Sequence, residues 1–107
     1  MYARIVTFRL DGPSHDEYHA QAVAVAAGFN EWPGLRSKLW IGDREAGLYG
    51  GIYVFDSREA ADASRATPQF AALEQGPFSA LCIDELEILD EPTAITGGSL
   101  LARSDAA

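Results

Sequence analysis

The stretch from Glu31 to Ala60, EWPGLRSKLWIGDREAGLYGGIYVFDSREA, leaves few options for the fold. Pro33-Gly34 breaks a helical pattern and opens an extended one. From Leu35 to Ile41 the side chains alternate. Leu35, Ser37, Leu39 and Ile41 point one way, and Arg36, Lys38 and Trp40 the other, a period of two that predicts a strand. Gly42 to Gly47 is rich in turn formers. Leu48 to Phe55 is aromatic and β-branched, so a second strand follows, bounded by Asp56-Ser57. Gly50-Gly51 lies inside it, and paired glycines in a strand mark a bulge or a close approach by another group, a ligand included.

The flanking sequence supplies the other elements. Tyr2–Leu10 alternates and predicts a first strand, closed by Asp11-Gly12-Pro13. Ser14 with Glu17 three residues on reads as a capping box. The helix it opens runs to about Asn30, with Tyr18, Ala22, Val25, Ala26 and Phe29 on its buried face. Asp56, with Glu59 three residues on, is expected to cap a short second helix. Thr67-Pro68 restarts it, with proline at the first helical position, and Gly76-Pro77 ends it. Phe70, Leu73 and Ala71 are its core candidates. Leu81–Leu89 predicts the fourth strand.

The order is βαββαβ, an α+β ferredoxin-like pattern: a four-stranded antiparallel sheet with its helices on one face. Both parities of the central strands are apolar, Ile52 and Val54 against Tyr53 and Phe55, and Ile5 against Val6 and Phe8. One helical layer covers one face only, so the other predicts sheet-on-sheet pairing into a homodimer, with Ile52 and Val54 turned to the partner. Residues 1–90 form the expected domain. Residues 91–107, small and polar with Pro92 and Gly97-Gly98, read as a flexible tail or an arm packing on a partner chain.

At 107 residues, one domain with a core burying about 65% of the unfolded chain's surface is expected. A net charge of −8 argues against nucleic acid and against anionic membrane surfaces, which require cationic patches. The amino terminus enters a strand at once, without the apolar core of a signal peptide, so the cytoplasm is the expected location. The single cysteine, Cys82, sits between Leu81 and Ile83 and reads as a buried core thiol.

Asp11-Gly12-Pro13, the run Trp32–Trp40 and above all Gly50–Ala61, GGIYVFDSREAA, resemble the YdhR-like mono-oxygenase family of the dimeric α/β-barrel superfamily over most of the chain. The superfamily also holds cofactor-free antibiotic-biosynthesis monooxygenases and haem-degrading enzymes. The resemblance implies a dimeric α/β barrel and a hydrophobic cavity between sheet and helices. It also locates departures. Haem-degrading members place asparagine, tryptophan and histidine where this chain has Phe8, Phe55 and Glu74, so haem degradation is not expected. Antibiotic-type members carry HxxxPHF where Ser64–Phe70 stands here, with Ser64 and Gln69 in place of the histidines.

No catalytic residue is assignable from sequence. His15 and His19 are spaced four apart but lack a third ligand, so no metal is expected. No phosphate-cradling loop is present, and no organic cofactor is expected. His19 follows Tyr18 and is the nearest titratable base. Arg4, Arg9, Arg36 and Lys38 read as inter-strand or inter-subunit ion pairs, with an anion hook at a cavity rim as the alternative. Two functions fit: a cofactor-independent monooxygenase acting on a small aromatic or quinol-like substrate, or a non-enzymatic dimer that binds a hydrophobic metabolite. In either case the expected ligand contacts are Phe8, Tyr53 and Phe55 on the sheet and Tyr18 and Phe29 on the first helix. Trp40 and His19 are expected near the mouth.

Overall fold

The computed structural model describes residues 1–101, and the side chains of residues 1–97. The elements run β1 (Tyr2–Leu10), α1 (His15–Phe29), β2 (Leu35–Asp43), β3 (Leu48–Phe55), α2 (Arg58–Ser64), α3 (Pro68–Gln75), β4 (Phe78–Glu87) and α4 (Asp90–Leu101). The strands form one antiparallel sheet in the order β2-β3-β1-β4, the ferredoxin-like arrangement with β1 and β3 at its centre. Among the described residues no helix is long and apolar enough to cross a membrane.

Local chemistry sets the helix boundaries. The Ser14 side chain accepts from the Glu17 amide while Glu17 reaches back to the Ser14 amide, so two otherwise unpaired donors are satisfied at the start of α1. These bonds hold the Glu17 carboxyl below its usual range. Thr67 caps α3 with Pro68 directly behind it. The cap of α2 is Ser57, whose hydroxyl accepts from the Ala60 amide, and not the expected Asp56. Asp56 instead approaches Arg36 at 3.4 Å. The sequence pattern predicts no element beyond Leu89. The structure has α4 there, interrupted at Gly97 (φ −143°, ψ 18°). Residues 102–107 of the expected tail lie outside the described residues.

One face of the sheet carries the core. Arg4, Val6 and Phe8 of β1 and Tyr49, Tyr53 and Phe55 of β3 point to the helices, where Phe29, Trp32, Ala61 and Phe70 meet them. Burial of each large apolar side chain contributes about 1.5–3 kcal/mol. Trp32, in the α1–β2 connection, lies nearly parallel to Tyr53 and Phe55, at 13° and 15°. Arg4 is wholly buried within this aromatic layer. It is satisfied by Glu85, by the Ser64 hydroxyl and by the Ala61 carbonyl.

Two bulges shift the parities read from sequence. At the start of β2, Leu35 pairs with Phe55 and Ser37 with Val54, so one extra residue is accommodated. Leu35 therefore joins Lys38 and Trp40 on the helical face, and packs on the core, rather than sharing the outer face with Leu39 and Ile41. In β4 the register slips opposite Phe8, where Ala80 has φ 52°. The strand starts at Phe78, not Leu81, and the slip turns Phe78 inward against Phe8, with ring centres 4.3 Å apart.

The same register places Cys82 opposite Thr7 on the outer face, where it is exposed. The expectation of a buried thiol fails because β4 is an edge strand, and its inward residue there is Ile83. The outer face also presents Ile5, Leu39, Ile41, Ile52, Val54 and Leu86. Of these Leu39, Ile41 and Leu86 are openly exposed.

Candidate functional site

A cavity of about 200 Å³ lies between α1, α3 and the helical face of the sheet. Val6 and Phe8 of β1, Tyr53 of β3 and Phe78 of β4 form its floor. Tyr18, Ala22, Val25 and Phe29 of α1 form one wall, spaced to lie on a single helical stripe. Gln69, Ala72 and Leu73 of α3 form the other. Val25 and Trp40 are 39% and 38% exposed, so the mouth lies between α1 and the edge strand β2.

The glycine pair shapes this space. A Cβ at Gly50 would sit 1.8 Å from the Val6 carbonyl oxygen, so the β1 backbone itself occupies the place of a side chain. A Cβ at Gly51 would stand 3.0 Å from Lys38 Cε and 3.3 Å from the Tyr53 ring. Of the two readings given to the pair, close approach is the observed one: the β1–β3 register runs through it unbroken.

Lys38 reaches over Gly51 into a cage of rings. Its Nζ is 3.5 Å from the centre of Trp40, 3.6 Å from Phe29 and 4.5 Å from Tyr53. Among the described residues no carboxylate forms an ion pair with it. Burial lowers its pKa from 10.5 to about 7, since an ammonium loses hydration that the rings replace only in part. The same environment acts on the phenols. Burial raises Tyr53 to about 12, against the pull of Arg4 and with a further push from Tyr18. Tyr18 is raised as well, by burial and then by Tyr49. The cavity thus favours neutral forms of its own acids and bases.

Of the expected contacts, Phe8, Tyr18, Phe29, Trp40 and Tyr53 line this cavity, with Trp40 at the mouth. Phe55 does not. It lies two residues further along β3, about 7 Å away at the rise of a strand, fully buried under Trp32 and Arg4. His19 does not either. One residue past Tyr18 turns it about 100° around α1, to the exposed side. His15, three residues before Tyr18, shares the inner face instead, and its Nδ1 is 2.8 Å from the Tyr49 hydroxyl. Among the described residues no set of three or more His, Cys, Asp or Glu side chains is placed to hold a metal ion.

The four strand cations separate by position. Arg4 makes the expected inter-strand pair, with Glu85. Arg36 pairs with Asp56, and Arg9 donates to the Ala46 carbonyl. Lys38 alone among them lines the cavity. Its residue type grouped it with the ion-pairing cations, although its parity with Trp40 already placed both side chains on one face. Gln69 drew notice only as a replacement for a family histidine. It accepts a hydrogen bond from Trp32 Nε1 at 3.3 Å and presents an amide to the cavity.

Comparison with known proteins places this geometry. Residues 5–99 match the family model described as "Putative mono-oxygenase ydhR", and the chain belongs to that family. No curated protein sequence matches it. Among solved structures, it is similar to Rv0793 from Mycobacterium tuberculosis (20% identity, TM-score 0.67, covering 84% of this chain and 96% of that one). It is also similar to SnoaB, a cofactor-independent oxygenase from Streptomyces nogalater (20% identity, TM-score 0.63, 84% and 97% covered). A third is the haem-degrader MhuD from Mycobacterium tuberculosis, solved with two haems in its active site (16% identity, TM-score 0.65, 83% and 96% covered). At these identities the likeness establishes the fold.

Proposed function

We propose that this member of the ydhR mono-oxygenase family is a cofactor-independent monooxygenase whose substrate is a small phenolic or quinol-like aromatic held in the cavity between α1, α3 and the sheet. The observation that carries the reading is the cavity wall: Phe8, Phe29, Trp40, Tyr53 and Phe78 offer flat apolar surface, interrupted by few polar groups. Small-molecule sites are built this way. The cavity is smaller than the usual range of about 300–1,000 Å³, which favours one or two fused rings over a larger polycycle.

Such a reaction takes all its electrons from substrate and O₂. A phenolate transfers one electron to O₂, the resulting radicals combine at the ring carbon para to the oxygen, and the hydroperoxide loses water. For 1-naphthol the sum is naphthol plus O₂ giving 1,4-naphthoquinone plus H₂O. The chain's own part is to orient the ring against the aromatic wall, to exclude water, and to hold the substrate oxygen near Tyr53 and Lys38 as charge develops. Chelator-treated protein in air-saturated buffer with ¹⁸O₂ should place one labelled atom in the quinone and the other in water. Absence of oxygen uptake across a panel of one- and two-ring phenols and quinols, or turnover that requires added flavin or metal, would refute the proposal.

The open sheet face supports a second element of the reading, a homodimer. Leu39, Ile41 and Leu86 are exposed at 47%, 37% and 60%, beside the half-buried Ile5 and Ile52, whereas Val54 on the same face is already buried within the chain. Leu89, just past β4, and Ile95 of α4 are likewise exposed, at 68% and 82%. A continuous apolar sheet face of this kind is stabilised by a second copy of itself.

A further inference from the structure

We infer that Lys38 is the general base of the site, taking the proton of a phenolic ligand at Nζ so that the ligand is held as phenolate against the lysine ammonium. The inference deepens the proposed activity and rests on its phenolic substrate class.

The geometry is specific. Lys38 is the one lysine or arginine among the residues lining the cavity. Its stem lies along Gly51, where a Cβ would stand 3.0 Å from Lys38 Cε, and its Nζ lies among the rings of Phe29, Trp40 and Tyr53. A structural lysine on an edge strand ordinarily extends to water or pairs with a carboxylate. This one turns its ammonium over three rings and, among the described residues, pairs with no carboxylate. A charged amine enclosed by rings and without a counter-ion is a costly arrangement, and an anionic oxygen entering the cavity relieves it. A second cavity of about 190 Å³, lined by Asn30 and Arg36, adjoins Lys38 from the other side. The titratable or charged groups lining the two cavities beside Lys38 are therefore Tyr18 and Tyr53, both held protonated, and Arg36, which pairs with Asp56. None of them competes as a base at neutral pH.

The step balances within the pair. The phenol O–H bond breaks, an N–H bond forms on Nζ, and ArOH plus the neutral amine become ArO⁻ plus the ammonium, with no proton exchanged with solvent. The cage then acts on the product. Taken singly, Lys38 and a buried phenol each favour their neutral forms here. The transfer therefore depends on the direct ion pair in the product, where three ring faces attract the new cation and the cation stabilises the phenolate that gives an electron to O₂.

The experiment titrates the full-length protein with 1-naphthol, anaerobically, at about pH 8.5. There the free naphthol, whose hydroxyl is somewhat more acidic than the ordinary phenol near 10, is mostly un-ionised, and its residual naphtholate is subtracted with a protein-free blank. In the wild type the bound ligand should show the long-wavelength naphtholate absorption. Calorimetry in two buffers of different ionisation enthalpy should show no net proton release. Lys38→Met should bind naphthol un-ionised or at least tenfold more weakly, with its fold checked by circular dichroism. Lys38→Arg, permanently charged, should still bind naphtholate but release one proton per ligand, and should lose turnover. A wild-type complex without the naphtholate band overturns the inference, as does a band that survives in Lys38→Met, a full proton released by the wild type, or failure of 1-naphthol to bind. Admitting O₂ afterwards separates the two readings. A naphtholate complex that consumes no oxygen leaves Lys38 as a proton-accepting ligand anchor, and removes the oxygenase.

Discussion

Arg4 Nε donates to Glu85 Oε2 at 2.7 Å, between residues that face each other directly in the β1–β4 register. The pair differs from a surface ion pair in one respect: the Arg4 side chain is 1% exposed and the Glu85 side chain 19%. Arg4 also lies over Phe55 and Phe70 at 5.1 and 5.2 Å, and Glu85 receives a second bond from Arg65 at 2.9 Å. Removal of Glu85 alone leaves a buried guanidinium short of its counter-ion. Glu85→Ala should therefore cost about 3 kcal/mol in urea unfolding, near the lower end of the 3–5 kcal/mol for broken buried pairs. The double change Arg4→Met with Glu85→Gln should restore most of that, because an apolar chain of similar length fills the aromatic slot.

The same carboxylate predicts acid sensitivity. Burial alone would raise the Glu85 pKa, but hydrogen bonds and charge from Arg4 and Arg65 outweigh it and hold it below the ordinary 4.5. A folded-state value below the unfolded one contributes stability above the unfolded pKa and loses it as pH falls through the folded pKa. The wild type should thus lose stability relative to Glu85→Gln as pH drops below about 4.5, the variant showing the flatter profile in paired thermal melts.

Lys38 gives the opposite pH window. Its charged form is disfavoured in the folded state, so between about 7 and 10.5 the unfolded chain binds a proton that the folded chain does not. Stability then rises with pH across that window and is flat below it, by at most about 1.4 kcal/mol for each pH step of one within it. The ring cage reduces the effect to a few kcal/mol at most. Urea midpoints of the wild type and Lys38→Met should diverge between pH 7 and pH 10, the wild type gaining. Parallel profiles would mean that Lys38 titrates as an exposed lysine.

Most of the fold was legible because its signals are local. The capping box at Ser14 and Glu17, the proline behind Thr67 and the alternation in β1 and β3 each reflect interactions within a few residues. What escaped depended on distance. The slip at Ala80 that turns Phe78 inward, and the extra residue that turns Leu35 inward, are decided by the neighbouring strand. Arg4 read as a strand-face cation because nothing nearby in sequence reveals that Ser64, Ala61 and Glu85 converge on it. Five of the seven expected contact residues lie around the cavity, since strand parity and one helical stripe suffice to bring them together. His19 and Phe55 fell outside for the same reason: a step of 100° on a helix, or of two residues on a strand, exceeds the width of a cavity this small. Lys38 was named only as one of four strand cations, with a cavity-rim anion hook as the alternative to ion pairing, because composition alone does not single it out in an acidic chain.

The glycine pair separates backbone from cavity effects. Gly50→Ala would drive a Cβ against the Val6 carbonyl, a rigid backbone atom. It should destabilise the sheet by several kcal/mol, at the high end for single substitutions, or prevent folding. Gly51→Ala meets the flexible end of Lys38 and the edge of Tyr53. It should fold, lose about 1 kcal/mol or less, and bind aromatic ligands more weakly because the lysine stem is pushed into the cavity. Equal thermal shifts for the two variants would contradict this assignment of their neighbours.

The proposed dimer and the proposed site are tested by different surfaces, because Ile52 and Tyr53 are adjacent in sequence and opposite in the sheet. Ile52→Asp should place a charge on the outer face and shift the protein from dimer to monomer, or to unfolded chain, in sedimentation at micromolar concentration. A monomeric wild type would remove the dimer. Tyr53 points to the cavity, where 1,4-naphthoquinone, the product of the proposed reaction, can report by quenching tryptophan emission. Trp40 at the mouth should carry most of the quench, so Trp40→Phe should remove most of it while the buried Trp32 keeps its emission. Tyr53→Ala should weaken binding by about 1–3 kcal/mol, the scale of a lost buried aromatic contact. Tyr53→Phe keeps the ring and removes only the hydroxyl, which matters mainly as charge builds on the substrate oxygen. It should leave Kd within about threefold and lower kcat by tenfold or more, since an interaction made chiefly in the transition state appears in rate rather than affinity. Equal losses in Kd and kcat would assign Tyr53 to binding alone and leave the developing charge to Lys38.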